Sequence, residues 1–238
     1  MRGKNILITG ASSGIGKTIA LHLADQGANL VLVARREQEL KDLAERIGSA
    51  ACYYICDLQQ SDQIEGIFAF CEEQGILLDG FIHSAGIANP VPVRSASPEG
   101  IGQMMQINAI SFMEIAKFFY KKKYSNNGAG IVAISSLAAV RPVSGQASYA
   151  ASKAALNTMV EVMAQEFLKR KIRVNAIMPS YVDTPMVQEN AAFGMNNGID
   201  DMPLGVIDPM QIAYLVEFLL SDKALHITGA KIPVSSGV

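Results

Sequence analysis

The sequence lacks the features that would direct the protein to a nucleic acid or to a membrane. Its 20 lysines and arginines are outnumbered by 22 aspartates and glutamates, so no global basic field attracts a phosphate backbone. No stretch approaches the roughly 20 apolar residues of a membrane span. The apolar run Ile6–Ile8 behind the basic N-terminus is too short for a signal peptide. We expect a cytoplasmic, soluble protein that binds neither nucleic acid nor membrane.

The sequence is also poor in the residues of disulfide frameworks and metal centres. It has three cysteines, Cys52, Cys56 and Cys71, which is an odd number for a chain of 238 residues. No histidine lies near them in the sequence. We therefore interpret the cysteines as small buried hydrophobic residues, and we expect no metal site.

Short apolar runs alternate with helical patterns along the chain. The runs lie at residues 5–9, 29–34, 51–55, 80–83, 129–135, 173–178 and 230–234. This alternation predicts an α/β fold, in which a doubly wound parallel sheet of about seven strands has helices on both faces. The length fits a single domain, residues 1–238. The irregular segment 181–203 is rich in Asn, Gly and Pro, and we expect it to be a mobile lid over the substrate.

A glycine-rich turn directly follows the first strand and precedes a helical pattern. Its residues are Gly10, Ser12, Ser13, Gly14, Ile15 and Gly16. Glycines let the backbone approach a pyrophosphate closely, and the free N–H groups of a helix's first turn attract phosphates. The spacing departs from the usual G-x-G-x-x-G, and a plain turn of small residues is the alternative. The order of strand, turn and helix favours a dinucleotide site.

The end of the second strand carries two arginines, Arg35 and Arg36, where many nucleotide folds have an acidic residue. An acid at this place binds the ribose hydroxyls of NAD, whereas an arginine accommodates the 2′-phosphate of NADP. We therefore predict a preference for NADP(H) over NAD(H). The alternative is that both arginines are solvated loop charges.

Tyr149 and Lys153 are four residues apart in a predicted helix, so their side chains lie on one face. A neighbouring cation favours a phenolate, and we expect Lys153 to lower the pKa of Tyr149. The phenol would then exchange a proton with a carbonyl or alcohol oxygen. Such a pair also arises by chance, so its meaning depends on the surrounding residues.

Two predicted helices, at residues 98–123 and 146–169, are apolar around most of their circumference. A helix of this kind has to be covered on both sides. We expect the two helices to form a subunit interface in a homodimer or homotetramer.

Taken together, these motifs resemble the short-chain dehydrogenase/reductase family over nearly the whole chain. The matching residues are the turn Thr9-Gly10 to Gly16, Asp57, Ala85-Gly86, Asn108, Ser136, Tyr149, Lys153, Pro179, Val182 and Thr184. The resemblance implies a Rossmann-like fold and an oxidoreductase that transfers a hydride between a nicotinamide cofactor and a carbonyl or alcohol.

The resemblance also implies a role for each matching catalytic residue. Tyr149 would be the general acid in reduction and the base in oxidation. Lys153 would tune Tyr149 and hold the nicotinamide ribose. Ser136 would polarise the substrate oxygen, and Asn108 would help to hold a water chain that returns protons to Lys153.

The cofactor contacts follow from the same resemblance. Asp57 would accept a hydrogen bond from the adenine, while Thr184 and the backbone of Val182 would hold the nicotinamide amide. Beyond the glycine turn and the two arginines, the expected cofactor-binding residues are Asp57, Leu58, Ala85, Gly86, Tyr149, Lys153, Pro179, Val182 and Thr184.

Three departures from the family pattern remove no catalytic group. His83-Ser84 replaces two asparagines before Ala85, Ser180 replaces a glycine, and the tail reads Ser235-Ser236-Gly237. We interpret His83 as a packed histidine at a strand end, with a catalytic histidine as the alternative.

The resulting prediction is an NADPH-dependent carbonyl reductase, nearest in general look to 3-oxoacyl-[acyl-carrier-protein] reductases. Its substrate would be a small carbonyl or alcohol, free or linked to an acyl carrier. The basic runs 121–123 and 169–171 would suit an acidic carrier, or are merely favourable cations at helix ends. The alternative function is a non-catalytic NADPH-binding sensor or structural protein on the same fold.

Overall fold

The computed structural model describes residues 1–192 and 202–238. Its centre is a parallel sheet of seven strands in the order β3-β2-β1-β4-β5-β6-β7. The strands are β1 Asn5–Thr9, β2 Asn29–Ala34, β3 Ala51–Ile55, β4 Leu78–His83, β5 Ser125–Ile134, β6 Arg173–Pro179 and β7 Lys231–Val234. This confirms the predicted doubly wound sheet. Strands β4 and β5 begin earlier than predicted.

Helices cover both faces of the sheet. They are α1 Gly14–Asp25, α2 Glu37–Ile47, α3 Ile64–Glu73, α4 Pro98–Met105, α5 Ser111–Phe119, α6 Ala147–Glu166, α7 Pro185–Ala192 and α8 Pro209–Leu220. Ser97 and Asp208 cap α4 and α8 by accepting hydrogen bonds from backbone amides. Within the described ranges, no helix is both long enough and apolar enough to cross a membrane.

The strands are apolar on both sides because each face of the sheet has its own core. Ile6 and Ile8 of β1 pack in one core and Leu7, between them, packs in the other. The core that contains Leu7 also contains fully buried phenylalanines, among them Phe68 and Phe112. Burial of each such side chain contributes about 1.5–3 kcal/mol, so the two cores fix the register of the central strands.

The predicted continuous helix at 98–123 is wrong in two respects. A π-helical turn, Gln106–Ile110, separates α4 from α5. The helix also ends at Phe119, because Tyr124 turns into the core and packs against Phe68 at 5.0 Å between ring centroids. Periodicity of apolar residues does not reveal either event, since both depend on contacts with distant parts of the chain.

The predicted lid at 181–203 is only partly within the described residues. Residues 193–201 of the segment lie outside them. The start of the segment is joined to the chain just beyond its end, because the amide of Asp183 donates to the carbonyl oxygen of Ile207 and the amide of Ile207 donates to that of Tyr181, each at 2.9 Å. The base of this segment is therefore tied to the sheet edge where the strands end.

Candidate active site

The glycine turn is packed against the end of β4. The register pairs Thr9 with His83, and this brings Gly10 beside Ala85. A Cβ on Gly10 would lie 2.7 Å from the amide nitrogen of Ala85, and Gly10 also has a φ of +69°. A Cβ on Gly16 would lie 2.3 Å from the carbonyl oxygen of Gly10. Only glycine fits both positions. The glycine-rich segment therefore places no side chain over the first helical turn of α1.

The N-terminus of α1 carries no competing negative charge. Ser13 occupies the cap position without a side-chain hydrogen bond, and no acidic residue lies in the first turn. The amides and the positive end of the helix dipole can therefore serve an anion. The guanidinium of Arg36 donates to the Ser12 hydroxyl at 2.9 and 3.3 Å and pairs with Glu39 at 3.2 Å. Arg35 is exposed at the same strand end.

Tyr149, Ser136 and Lys153 come together where β5 ends and α6 begins. The Ser136 hydroxyl lies close enough to the Tyr149 phenol to lower its pKa, and the phenol is half-buried. Lys153 is 4% exposed, and its ammonium donates to the carbonyl oxygen of Ile134 at 2.8 Å. The Lys153 nitrogen lies 5.9 Å from the centroid of the Tyr149 ring. The structure therefore brings together the side chains of Tyr149, Ser136 and Lys153.

The pKa values differ from the expectation in one respect. Burial raises the pKa of the Tyr149 phenol, and the hydrogen bond from Ser136 lowers it less than burial raises it. Burial lowers the pKa of Lys153 to about 8. The ammonium has therefore lost its proton before the phenol titrates, so it supplies no charge to stabilise the phenolate during titration. The expected lowering of the Tyr149 pKa by Lys153 is wrong for this geometry.

Asn108 lies in the π-helical turn and is fully buried. Its amide accepts from the amide nitrogen of Ile87 at 2.8 Å and donates to the carbonyl oxygen of Ile87 at 2.9 Å. It also donates to the Ser152 hydroxyl at 2.9 Å, and Ser152 in turn donates to the carbonyl oxygen of Tyr149. Asn108 thus connects the strand end after β4 with the helix that carries the catalytic pair.

Gly86 joins this cluster to the glycine turn. A Cβ at this position would lie 3.4 Å from both the Asn108 side-chain oxygen and the Lys153 nitrogen. Ala85, the preceding residue, is the one that touches Gly10. A continuous surface therefore runs from the glycine turn past Ala85 and Gly86 to Lys153.

The loop after β6 meets the glycine turn from the other side. Pro179 ends β6, and Val182 and Thr184 are buried just beyond it. A Cβ on Gly14 would lie 3.3 Å from the methyl group of Thr184. The Thr184 hydroxyl donates to the carbonyl oxygen of Val182 at 3.2 Å. These residues lie beside the glycine turn, and we call the surface that runs from this loop and the glycine turn to Tyr149 the crevice.

Asp57 and Leu58 follow β3, at the side of the crevice beyond β2. Asp57 is partly exposed, and one of its carboxylate oxygens accepts from the amide of Gln59 at 3.1 Å. The Leu58 side chain is buried in the core, and its carbonyl oxygen accepts from Gln106 at 3.3 Å. Leu58 can therefore offer a ligand little beyond its backbone.

The arrangement fits a dinucleotide. Gly10, Gly16 and Gly86 are places where any side chain would enter the crevice or its walls. The free helix end suits a pyrophosphate, and the crevice leads from there to Ser136 and Tyr149. Sequence reasoning missed Ser152 and the Ile134 carbonyl, because hydrogen bonds to buried backbone atoms carry no signature in the sequence.

A parallel sheet with this strand order and this crevice is a Rossmann-like, nucleotide-binding fold. The family model described as enoyl-(acyl carrier protein) reductase matches residues 10–238. The chain belongs to the short-chain dehydrogenase/reductase family.

Relatives in this family are similar over their full lengths. A 2,5-dichloro-2,5-cyclohexadiene-1,4-diol dehydrogenase of Sphingobium indicum is 33% identical, covering 100% of this chain and 96% of its own. A 3-oxoacyl-[acyl-carrier-protein] reductase of Thermotoga maritima is 28% identical, covering 100% and 98%. The crystal structure of 3-ketoacyl-(acyl-carrier-protein) reductase from Brucella melitensis, complexed with NADH, is 27% identical over 99% and 98%, with a TM-score of 0.89.

Proposed function

We propose that the protein reduces a ketone or 3-oxoacyl carbonyl to an alcohol with NADPH, and that Tyr149 is the general acid. The observation that carries this proposal is the grouping of Ser136 and Tyr149 beside the buried Lys153, whose nitrogen lies 5.9 Å from the centroid of the Tyr149 ring. A surface continuous with the glycine turn leads to this group. The alternative, a non-catalytic NADPH-binding sensor, has no support among these relatives, which are named as dehydrogenases or reductases.

Tyr149 and Ser136 act on the substrate oxygen. Because burial raises the pKa of Tyr149, its phenol carries a proton at neutral pH and is ready to donate. The Ser136 hydroxyl holds the same oxygen and stabilises the negative charge that develops on it. When bound, NADPH supplies the hydride that reduces the carbonyl carbon.

Lys153 stabilises the phenolate that remains after donation. At neutral pH the ammonium is largely charged, because its pKa is about 8. The Lys153 nitrogen lies 5.9 Å from the centroid of the Tyr149 ring, and a positive charge there favours the phenolate as it forms. The proton lost by Tyr149 is restored through the Asn108 and Lys153 side of the cluster, where Asn108 holds the Gly86-Ile87 backbone in place.

Arg36 and Ser12 support the preference for NADPH. Their side chains already form a donor pair at the end of β2, and Arg35 adds a second cation there. A 2′-phosphate gains charge-assisted hydrogen bonds at such a place, whereas the ribose hydroxyls of NADH find no acidic residue at Ala34. The Brucella relative is complexed with NADH, and that observation describes the cofactor of the relative only.

An acyl carrier is less well supported than a small carbonyl substrate. The central residue of the basic run 169–171 is not accessible to an acyl carrier. Arg170 is buried, and its guanidinium donates to the carbonyl oxygens of Tyr120 and Ser125. Lys123 is engaged with Glu72 at 3.1 Å. We therefore infer a free ketone or a short 3-oxoacyl thioester as the first substrates to examine.

A homodimer through α4, α5 and α6 is part of the same proposal. Ile101, Met113 and Val162 on these helices are exposed apolar residues. One carboxylate oxygen of Glu114 on α5 is sealed from solvent and lacks a hydrogen-bond partner within the described residues. A second copy of the chain would cover this face and leave fewer apolar side chains in water.

The test is a panel of carbonyl compounds with purified protein. Oxidation of NADPH is followed by its absorbance with ketones, ketoses and 3-oxoacyl thioesters, each with and without enzyme, and then repeated with NADH. We expect turnover of at least one carbonyl class and a higher kcat/KM with NADPH. Tight binding of NADPH without turnover of any carbonyl would favour the sensor instead.

A further inference from the structure

His83 is a buried histidine that the proposed reaction does not use. It ends β4, and its side chain is sealed from solvent between Phe81 and Phe112, at 6.0 and 5.5 Å between ring centroids. The structure thus confirms a packed histidine. Each of its two ring nitrogens, however, points to a different element of the active site.

The Nδ1 atom of His83 faces the glycine turn. It lies 3.0 Å from the hydroxyl of Thr9, the residue directly before Gly10. The Thr9 oxygen in turn accepts from the amide of Ala85 at 3.4 Å. Because burial and the charge of Lys153 lower the pKa of His83 to about 3, the ring is neutral at working pH. One nitrogen therefore accepts and the other donates.

The Nε2 atom of His83 faces the π-helical turn. Within the described residues no acceptor meets it with good hydrogen-bond geometry, yet the backbone oxygens of Ile107 and Asn108 are close enough to raise the pKa of the ring. The Ile107 carbonyl oxygen also accepts from the Ser111 hydroxyl at 2.8 Å, and a carbonyl oxygen has a second lone pair for another donor. An Nε2–H directed at these two carbonyl oxygens would satisfy that ring nitrogen. Nδ1 then accepts from the Thr9 hydroxyl, which is 3.0 Å from Nδ1 and 3.5 Å from its other acceptor, the Ile82 carbonyl oxygen.

We propose that His83 is a positioning residue that ties the π-helical turn carrying Asn108 to Thr9 at the base of the glycine turn. Its effect on turnover rests on the proposed function, whereas the tie itself does not. The side-chain amide of Asn108 hydrogen-bonds the amide nitrogen of Ile87 at 2.8 Å and its carbonyl oxygen at 2.9 Å. A shift of Asn108 therefore moves the adjacent Gly86 as well. His83 thereby holds the Asn108 side chain and the Gly86 backbone in register with Lys153.

The first experiment separates positioning from folding by replacing the ring nitrogens. His83→Phe keeps an aromatic ring and removes both hydrogen bonds, and His83→Gln keeps a donor near the Nε2 position. We expect kcat to fall about tenfold in the phenylalanine variant, the effect of about one hydrogen bond, with KM for NADPH changed less than about threefold. The glutamine variant restores most of the rate.

The matched control is His22→Gln, at the far end of α1. His22 is also buried and is paired with Glu217 at 2.6 Å, but it lies in the last turn of the helix, away from the glycine turn. Its replacement should lower the thermal midpoint and leave kcat unchanged. Equal losses of kcat in the His22 and His83 variants would show a general loss of structure and overturn the proposal.

A double variant tests whether His83 acts through Asn108. In a background of Asn108→Ala, adding His83→Phe should slow the enzyme no further, because the side chain to be positioned is gone. If the two rate losses multiply, His83 acts by another route and the proposal is wrong.

Two measurements need no turnover at all. In the wild-type protein, ¹⁵N spectra at neutral pH should show the His83 ring protonated on Nε2 and bare on Nδ1. Amide hydrogen exchange across residues 106–110 should be faster in His83→Phe than in wild type, while β6 is unchanged. The opposite tautomer, or unchanged exchange, would overturn the tie. A protein that passes both tests yet reduces no carbonyl would disprove the proposed function and leave the tie standing.

Discussion

Replacing Lys153 by methionine should stabilise the protein at neutral pH while removing its activity. The ammonium is 4% exposed, and its hydrogen bond goes to the neutral carbonyl oxygen of Ile134. A buried cation without full compensation weakens the folded state. The same burial lowers the pKa of Lys153 from 10.5 to about 8, which measures that weakening.

The magnitude follows from the pKa difference between the folded and unfolded states. A folded pKa of about 8 in place of 10.5 corresponds to about 3 kcal/mol at pH values below 8. Methionine also loses the hydrogen bond to Ile134, which is worth about 1 kcal/mol. The Lys153→Met variant should therefore be about 2 kcal/mol more stable than wild type at pH 7.

The sign of the pH dependence is fixed by which state keeps the proton. Between pH 8 and 10.5 the folded lysine loses its proton and the unfolded lysine keeps it, so wild-type stability rises with pH across this window. The variant has no such contribution. Its advantage should therefore shrink above pH 8 and reverse near pH 10.

Urea unfolding followed by circular dichroism at pH 7, 8.5 and 10 measures this difference. Lys122→Met, at an exposed position, controls for the loss of one positive charge. A difference between variant and wild type that stays constant across these pH values would refute the argument that Lys153 is desolvated.

Three further predictions concern the turn, the cofactor and the interface. Gly16→Ala should cost about 3 kcal/mol of stability and abolish NADPH binding, because its methyl would meet the Gly10 carbonyl, whereas Gly102→Ala, in open space, should be neutral or stabilising in a thermal melt. Arg35→Asp should weaken NADPH about tenfold or more and NADH far less in fluorescence titrations; equal weakening would contradict the 2′-phosphate assignment. Val162→Glu should convert a dimer to monomers in light scattering, and a monomeric wild type would refute the interface.

The sheet was predictable because each strand is a short apolar run buried on both faces. The glycine turn was predictable for a related reason, since close approach of backbones at Gly10 and Gly16 excludes every other residue. Both properties depend on residue type at a position. They therefore remain visible in the sequence without knowledge of distant contacts.

The π-helical turn and the protonation of Tyr149 were not predictable in this way. The π-helical turn occurs where the Asn108 side chain hydrogen-bonds the backbone of Ile87, and these two residues are far apart in the sequence. The pKa of Tyr149 depends on how deeply the phenol is buried and on the order in which it and Lys153 titrate. Helical spacing indicates that the two side chains share a face of the helix, but it does not indicate how deeply that face is buried. The burial of Arg170 was not predictable for the same reason, because the pattern of a basic run does not indicate which of its residues is buried.

The most direct test of the account is a single-turnover comparison of Tyr149→Phe with wild type, each saturated with NADPH and mixed with the best carbonyl from the panel. Phenylalanine keeps the ring and removes only the proton donor. We expect the variant to bind NADPH within about threefold of the wild-type Kd and to reduce the carbonyl about 10²–10⁴ times more slowly. Reduction at the wild-type rate by the variant would contradict the assignment of Tyr149 as the acid.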